Sequence, residues 1–306
     1  MTQATLVERH AAMRDRLFEA GLLIPSGVDG VYGRSAEFEH VVDGLKRAVH
    51  VFAEVDGAEN YEFPPIIPRA TFERIGYLRN FPQLAGPVFS FQGGERDFQA
   101  LLKTIDDEQP YGEHLSQTEV VLVPACCYPI YPMLTGTMAT DHKVVQTSQY
   151  CFRHEPSVDP MRLLAFRQME NVSVGTPDHV HEWRGRWLER APQLLCDLGL
   201  EVRSDVANDP FFGRAGRLMS ASQRELQLKI ELLVPVFGDE DPTACASINY
   251  HEDHFAELFG IHTPDGERAN SSCIGFGLER CTVALFAAHG TSISTWPASV
   301  RQRLWE

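Results

Sequence analysis

The stretch KVVQTSQYCFRHEPSVDPMRLLAFRQMENVSVG, residues 143–175, contains two extended segments separated by a turn. β-Branched and aromatic residues are frequent in both segments, and Asp159-Pro160 between them is a strong turn signal. We therefore predict a long antiparallel hairpin. Because side chains alternate between the two faces of a strand, Arg153 and Glu155 would lie on the same face.

The predicted hairpin carries side chains that suit a nucleotide. Arg153 could hold a phosphate group, and Glu155 could accept a hydrogen bond from an amine. Phe166 on the returning strand could stack on a purine ring, and Arg162 near the turn could fold over the outer phosphates. The same pattern is also typical of a cross-strand ion pair beside a core phenylalanine, so the hairpin alone leaves both interpretations open.

A second motif lies roughly a hundred residues later, where residues 273–280 read CIGFGLER. Gly275 and Gly277 would let a ligand or another stretch of backbone approach the strand closely. Arg280 follows in the first turn of a predicted helix, where a fixed guanidinium could bind a phosphate through two hydrogen bonds. The spacing differs from the GxGxxG dinucleotide fingerprint. A glycine pair that serves only packing would explain it equally well.

The remaining elements indicate an α+β protein. Apolar spacing predicts helices over residues 5–23, 35–54, 179–200 and 279–288 and strands within 120–124, 227–237, 243–250 and 271–277. Residues 27–33 are a glycine-rich break, and the prolines of residues 61–78 permit only a short extended segment. This order favours an antiparallel sheet over a doubly wound parallel one. We divide the chain into an N-terminal helical segment, 1–34, and a catalytic domain, 35–306, with a helical excursion at about 178–225.

The composition excludes several classes of protein. The chain has 306 residues, of which 43% are hydrophobic, and 27 basic minus 42 acidic residues give a net charge of −15. This charge disfavours a broad nucleic-acid surface. No apolar run approaches the roughly 20 residues that span a bilayer, and no secretory signal is visible, so we expect a cytoplasmic protein. The seven cysteines are irregularly spaced, which argues against a disulfide framework.

Three of the residues in these segments form a candidate metal site. Cys127, Glu170 and Cys273 lie in three separate strand-like stretches, and the last two belong to the two motifs. Two thiolates and a carboxylate suit zinc, and three protein ligands leave a fourth position open for a substrate. Cys126 competes with Cys127, because strand alternation lets only one of two neighbours face the site.

Taken together, the two motifs resemble motifs 2 and 3 of the class II aminoacyl-tRNA synthetases. The resemblance implies an antiparallel sheet of six or seven strands, flanked by helices, that binds a bent ATP. It also implies that an amino-acid carboxylate attacks the α-phosphate to give an aminoacyl adenylate. The helix from Ser35 and the segment Phe63–Pro68 would then form motif 1, the element through which that family makes homodimers.

The resemblance also implies a role for each nucleotide-binding residue. Arg153 would contact the α-phosphate and Arg162 the outer phosphates. Phe166 and Arg280 would sandwich the adenine, and Glu155 would hold the adenine amine or the substrate. Arg153, Glu155 and Arg280 would thus be the catalytic residues, with charge stabilisation as their main task.

Further stretches are similar to the zinc-dependent seryl-tRNA synthetases of methanogenic archaea, and still more to the bacterial amino acid:[carrier protein] ligases. They read PACCYPIYP, NDPFFGRAGRLM, QRELQLKIELLVPV, ASINYHEDHF and SSCIGFGLER. In that family a Cys, a Glu and a Cys hold zinc, and the Cys-Tyr-Pro context favours Cys127 as the first ligand. Glu231, Ser247 and Asn249, with Gly275, would line the end of the site that takes the amino acid and Mg²⁺.

The acceptor of the activated amino acid follows from the same resemblance. Seryl-tRNA synthetases carry a large N-terminal RNA-binding domain, whereas only about 35 residues precede the predicted motif 1 helix here. The ligases instead pass glycine or alanine to the phosphopantetheine thiol of a carrier protein. An acidic carrier needs a local positive surface, for which we name two candidate clusters: Arg184, Arg186 and Arg190, and Arg214 with Arg217. The alternatives are a truncated synthetase that charges tRNA and a non-catalytic synthetase paralogue.

Overall fold

The computed structural model describes residues 5–210, 223 and 226–306, so the predicted cluster of Arg214 and Arg217 lies outside the described residues. The helices are α1 (Leu6–Glu19), α2 (Ala36–Val55), α3 (Arg69–Ile75), α4 (Tyr77–Asn80), α5 (Glu95–Asp106), α6 (Ile130–Met133), α7 (Pro177–Asp197), α8 (His254–Phe259), α9 (Leu278–His289) and α10 (Ala298–Trp305). The strands are β1 (Leu23–Val28), β2 (Val31–Arg34), β3 (Glu59–Tyr61), β4 (Ile66–Pro68), β5 (Pro87–Ser90), β6 (Ser116–Leu122), β7 (Gly136–Thr137), β8 (His142–Phe152), β9 (Ala165–Gly175), β10 (Arg203–Val206), β11 (Lys229–Val234), β12 (Thr243–Glu252), β13 (Ile261–His262) and β14 (Asn270–Gly277). This is the predicted α+β architecture.

The main sheet of the described residues has seven strands in the order β10-β11-β12-β14-β9-β8-β3. Its centre is the predicted hairpin, in which β8 and β9 pair antiparallel without a break from His142↔Gly175 to Phe152↔Ala165. The sheet is antiparallel, as predicted, except at one edge, where the short strand β3 pairs parallel with β8. Two parallel strands need a long connection between them, and β3 and β8 are far apart in the chain.

Two segments before the hairpin differ from the sequence prediction. The expected break at residues 27–33 is the turn and returning strand of a tight hairpin, in which β1 and β2 pair antiparallel. The segment 61–78 contains not only the short strand β4 but also helix α3, which begins directly after Pro68. Proline is tolerated at the start of a helix, since the first N–H groups there have no partner within the helix.

The two faces of the sheet have different environments. On one face, α2, α7 and α9 bury the largest apolar core, in which Trp183, Trp187 and Phe286 are fully enclosed. Because side chains alternate along each strand, the residues between those core positions face the opposite side. That side is covered only in part, by a smaller cluster that includes Tyr131 and Phe255, and it leaves room for a cavity.

A buried ionic network fixes the two sequence motifs relative to each other. Glu279 in α9 accepts hydrogen bonds from the backbone N–H of Arg167, at 2.6 Å, and from its Nε, at 2.7 Å. The Arg167 guanidinium continues to Glu39 in α2, where its Nη2 donates at 2.8 Å. A buried arginine with two carboxylate partners holds its neighbours in a defined orientation. The network thus links the predicted motifs 1, 2 and 3.

None of the helices in the described part of the chain combines the length and apolar character needed to cross a membrane.

Candidate functional site

A cavity of about 680 Å³ opens on the partly covered face of the sheet. Eleven of the residues singled out in the sequence line it: Cys127, Arg153, Phe166, Glu170, Glu231, Ser247, Asn249, Cys273, Gly275, Gly277 and Arg280. Glu155 lines a small adjoining crevice together with Phe166 and Arg280. The volume lies within the range of small-molecule sites.

The register of four neighbouring strands produces this convergence. One row across the sheet runs Glu231–Ser247–Gly275–Glu170, from β11 through β12 and β14 to β9. The next row runs Lys229–Asn249–Cys273–Val172. Because these positions are two apart in each strand, both rows present their side chains to the cavity.

One end of the cavity has the features of a nucleotide site. Arg153 lies directly after β8, so the expectation that Arg153 and Glu155 alternate on one strand is wrong: the strand ends at Phe152. A turn bond from the Glu155 N–H to the Arg153 carbonyl, 2.8 Å, brings the two residues together instead. The Arg153 Nε donates to the Pro124 carbonyl at 3.1 Å, and its guanidinium carbon lies 5.5 Å from the Phe166 ring centre.

The loop of the hairpin places Arg162 at the rim of this end. Its side chain is 48% exposed, with Nη1 3.8 Å from Glu155 Oε1 and Nε 3.4 Å from Asp159 Oδ2. Because exposed ion pairs of this kind are weak, Arg162 can turn toward a ligand at a small cost in free energy. The loop itself is anchored, because the Leu164 N–H donates to the Gly30 carbonyl at 2.9 Å.

Arg280 is held more firmly than Arg162. Its Nε donates to the Met161 carbonyl at 2.8 Å and its Nη1 to the Ala244 carbonyl at 3.0 Å. Burial, and then the positive charges of Arg162 and Arg153, lower the pKa of Arg280. Two guanidinium groups, those of Arg153 and Arg280, thus line one end of the cavity with Arg162 nearby, an arrangement that favours a polyanion such as a nucleotide polyphosphate.

The other end holds the predicted metal group. One ligand atom from each of Cys127, Glu170 and Cys273 lies within 4.8 Å of the other two, and all three side chains are buried. Cys127 was expected in a strand-like stretch but lies in a turn between β6 and α6. The neighbouring Cys126 points elsewhere, with its sulfur 3.1 Å from the Gln168 carbonyl and 3.8 Å from the Cys151 sulfur.

The chemistry of this group fits a soft divalent metal ion. Within the described part of the chain, the buried atom Glu170 Oε2 has no hydrogen-bond partner, and burial raises the pKa of Glu170 to about 8. The thiols of Cys127 and Cys273 share a hydrogen bond that lowers the pKa of Cys273. A bound cation would stabilise the charged forms of all three groups, and two sulfurs with one carboxylate oxygen are zinc ligands.

Glu231 on β11 was expected to line the end of the site that takes the amino acid and Mg²⁺, but its carboxylate also contacts charged neighbours. Its Oε1 lies 3.1 Å from the Nζ of Lys229, and the same Nζ lies 2.6 Å from Asp209 Oδ1. Although burial alone would lower it, the pKa of Lys229 is raised by Asp209 and Glu231. Glu231 therefore belongs to a charge cluster at the cavity wall.

Sequence analysis missed several residues that line the cavity. Gln168 lies between Phe166 and Glu170 on the same face of β9, so strand alternation could have revealed it. His251 follows the same rule on β12, two positions after Asn249. Tyr128 and Asp209 come from loops, and no periodic pattern indicates them.

The predicted basic face of α7 is partly neutralised. Arg186 and Arg190 both contact the carboxylate of Asp56, at 3.4 and 2.9 Å. Arg184 donates to the Gln227 carbonyl at 2.8 Å. These arginines therefore offer less free positive charge than the sequence suggests.

Gly275 lies close to Glu170, so a substitution at this glycine tests whether the position of that carboxylate affects metal binding. A Cβ at this position would lie 3.2 Å from Glu170 Cγ and 3.4 Å from Glu170 Oε1. Gly275→Ala is therefore expected to displace the carboxylate and lower metal affinity by ~10-fold or more, as measured by competition with a chelator. Gly277→Ala is the matched control, because its Cβ meets only Arg280 atoms at 3.6 Å and the Cys245 carbonyl at 3.6 Å. Equal affinities in the two variants would contradict this account of Gly275.

Comparison with known proteins gives relatives over nearly the whole chain. The chain is 42% identical to amino acid–[acyl-carrier-protein] ligase 1 of Bradyrhizobium diazoefficiens, over 95% of this chain and 88% of the relative. With ligase 2 of the same organism it shares 43% identity over 95% of this chain and 87% of the relative. The type-2 serine–tRNA ligase of Methanopyrus kandleri is 26% identical over 82% of this chain but only 51% of its own length. No protein-family model matches the chain.

Solved structures establish the fold. The M. kandleri seryl-tRNA synthetase, in complex with A. aeolicus tRNASec, superposes with a TM-score of 0.81 at 20% identity, over 95% of this chain and 59% of that one. The cytoplasmic serine–tRNA ligase of Naegleria fowleri, in complex with AMP, gives a TM-score of 0.71 at 13% identity, over 95% and 59% of the two chains. The fold is thus that of class II aminoacyl-tRNA synthetase catalytic domains, as predicted.

Proposed function

We propose that this chain, which belongs to the family of amino acid–[acyl-carrier-protein] ligases, activates a small amino acid with ATP and loads it onto a carrier protein. As a member of this family it is a ligase. The substrate we propose is glycine or alanine, and the acceptor is the phosphopantetheine thiol of the carrier. The main support is one cavity that holds the guanidinium groups of Arg153 and Arg280 at one end, with Arg162 nearby, and a thiol–carboxylate–thiol group at the other.

The first reaction step forms an aminoacyl adenylate. A carboxylate oxygen of the amino acid attacks the α-phosphorus of ATP, a new P–O bond forms, and pyrophosphate leaves with the electron pair of the broken bond. Arg153 is placed to neutralise charge on the α-phosphate, and Arg162 to follow the outer phosphates. The fixed plane of Arg280 and the ring of Phe166 would hold the adenine between them. These residues act by position and charge, without a covalent intermediate on the protein.

The second step transfers the amino acid to sulfur. The carrier thiol loses its proton to solvent, its sulfur attacks the carbonyl carbon of the adenylate, and AMP leaves as the thioester forms. No side chain of this chain needs to become a nucleophile. The protein contributes by keeping the adenylate in place and by excluding water until the carrier arrives.

Cys127, Glu170 and Cys273 would hold a zinc ion at the amino-acid end. Such an ion supplies a Lewis acid with one coordination position left for the α-amine of the substrate. Ser247, Asn249 and Gly275 lie on the strands beside this group and would border a side chain of the substrate. Glu231 is the carboxylate we propose for Mg²⁺ that accompanies ATP.

Two further points complete the proposal. The chain would form a homodimer through α2 and the β4 segment, and it would prefer a carrier protein over tRNA as acceptor. The net charge of −15 disfavours a polyanionic RNA acceptor. It also repels an acidic carrier, so the carrier would need a local positive surface on the enzyme.

An acceptor assay read by intact-protein mass spectrometry tests the proposal. Purified enzyme, ATP, Mg²⁺ and a mixture of glycine, alanine and serine are incubated with a phosphopantetheinylated carrier protein, with the same carrier lacking the arm, or with bulk tRNA. We expect an ATP-dependent mass gain on the arm-bearing carrier only, and the mass identifies the amino acid. Charging of tRNA alone would overturn the carrier proposal in favour of a synthetase. A chain that performs no ATP–pyrophosphate exchange with any of these amino acids would be a non-catalytic paralogue.

A further inference from the structure

His251 makes contacts on both sides of its ring. Its Nε2 lies 3.7 Å from the sulfur of Cys273, and its Nδ1 lies 3.1 Å from Ser271 Oγ and 3.3 Å from Tyr131 Oη. His251 is outside the group of ligand atoms from Cys127, Glu170 and Cys273 that lie within 4.8 Å of one another. It therefore approaches one ligand of that group from outside.

The contacts of His251 are consistent with a single tautomer. A metal-bound cysteine sulfur is a thiolate, which accepts hydrogen bonds and cannot donate them. The nitrogen that faces the sulfur, Nε2, must then carry the proton. Nδ1 of the neutral ring is in that case an acceptor, and the hydroxyl groups of Ser271 and Tyr131 can both donate to it.

The ring also has little freedom to turn. His251 packs edge-on against Phe255, with ring centres 4.9 Å apart, and Phe255 in turn stacks on Tyr131 at 3.8 Å. Tyr131 is fully buried, so its hydroxyl is held in place as well. Packing and hydrogen bonding thus fix the orientation of the imidazole.

We infer that His251 is a positioning residue for the metal centre, where its Nε2–H donates to the Cys273 sulfur and fixes the orientation of that ligand. The inference rests on the proposed function only in assuming that Cys127, Glu170 and Cys273 bind a metal ion. A hydrogen bond of this kind stabilises the thiolate and directs its remaining lone pairs toward the metal. Asn249 supplies a second N–H to the same sulfur, with its Nδ2 at 3.5 Å, so Cys273 is held from two sides.

The test measures metal binding alone, without amino acid, ATP or carrier. Zn²⁺ affinity is determined by chelator competition, and the sulfur-to-metal charge-transfer bands are recorded after loading with Co²⁺. The variants are His251→Gln, whose Nε2 can replace that of histidine, His251→Asn, whose shorter amide cannot reach the sulfur, and His251→Leu. His254→Leu is the matched control, since His254 lines the same cavity and packs edge-on against the same Phe255. The unfolding of each metal-free variant is measured to separate folding from binding.

We expect His251→Asn and His251→Leu to lower Zn²⁺ affinity by ~10–100-fold and to shift the Co²⁺ charge-transfer bands. His251→Gln and His254→Leu should stay close to the parent protein in both measurements. If His251→Leu does not fold, the contrast between the Gln and Asn variants decides. Unchanged metal affinity and spectra in all variants would overturn the inference. A protein that binds zinc with the expected pattern but loads no carrier would refute the proposed function and leave the role of His251 intact.

Discussion

Replacing Cys273 with serine is expected to abolish zinc binding and amino-acid activation together. Cys273 supplies one of the three mutually close ligand atoms and receives hydrogen bonds from Asn249 and His251. A serine hydroxyl stays protonated near neutral pH and is a poor zinc ligand. Since the loss of an outer hydrogen bond alone costs ~10–100-fold in metal affinity, the loss of a ligand should cost more than about 100-fold. Elemental analysis of the purified protein and ATP–pyrophosphate exchange measure the two effects.

Two further cysteine variants serve as controls for this prediction. Cys126→Ser should retain zinc, because the sulfur of Cys126 contacts the Gln168 carbonyl and Cys151 instead of the metal group. Cys196→Ser should retain zinc and activity, since Cys196 is exposed on α7. Normal pyrophosphate exchange by a metal-free Cys273→Ser protein would refute the metal-dependent mechanism. Loss of zinc in Cys126→Ser, with Cys127→Ser unaffected, would show that the neighbouring cysteine is the ligand.

The central part of the fold could be predicted because its signals are local. The hairpin of β8 and β9 has β-branched segments on both sides of Asp159-Pro160, and the observed pairing covers its whole length. The helices α2 and α7 begin at Ser35 and Thr176, whose hydroxyl groups accept hydrogen bonds from the first turn. In both cases the deciding interactions lie within a few residues of one another in the sequence.

Other parts of the fold depend on contacts that the sequence does not display. Helix α3 follows directly on Pro68, where the prolines alone indicate only extended chain. Cys127 lies in a turn whose position depends on packing against the sheet, so the prediction of a strand-like stretch there is wrong. The carboxylate of Glu279 at the start of α9 is occupied by Arg167 and Arg34, which come from distant parts of the chain.

The site could be predicted in part for a related reason. Positions two apart on a strand share a face, so Ser247 lies with Asn249 and Cys273 with Gly275. Which strands are neighbours is a long-range property, and only the resemblance to a known family indicated it. His251 and Gln168 satisfy the same alternation rule and could have been proposed from it.

Replacing Arg280 with alanine is expected to impair the use of ATP while zinc content stays normal. The guanidinium is fixed by the carbonyl groups of Met161 and Ala244 and lines the crevice that contains Phe166. Removing a preorganised charged donor from such a site costs ~100-fold or more in kcat/KM for ATP. The zinc ligands do not contact Arg280 in the described part of the chain, so chelator competition should give the parent affinity.

The conservative variant shows whether charge or shape is responsible. Arg280→Lys keeps the positive charge but loses the planar group that can lie flat against a purine and make two directed hydrogen bonds. If Arg280 acts mainly by stacking on adenine, Arg280→Lys should be nearly as impaired as Arg280→Ala, with the loss expressed in KM for ATP. If it acts mainly through charge, lysine should restore most of the activity. A normal KM for ATP in both variants would remove Arg280 from the nucleotide site, and the three guanidinium groups would then have to be explained by the folding of the hairpin loop.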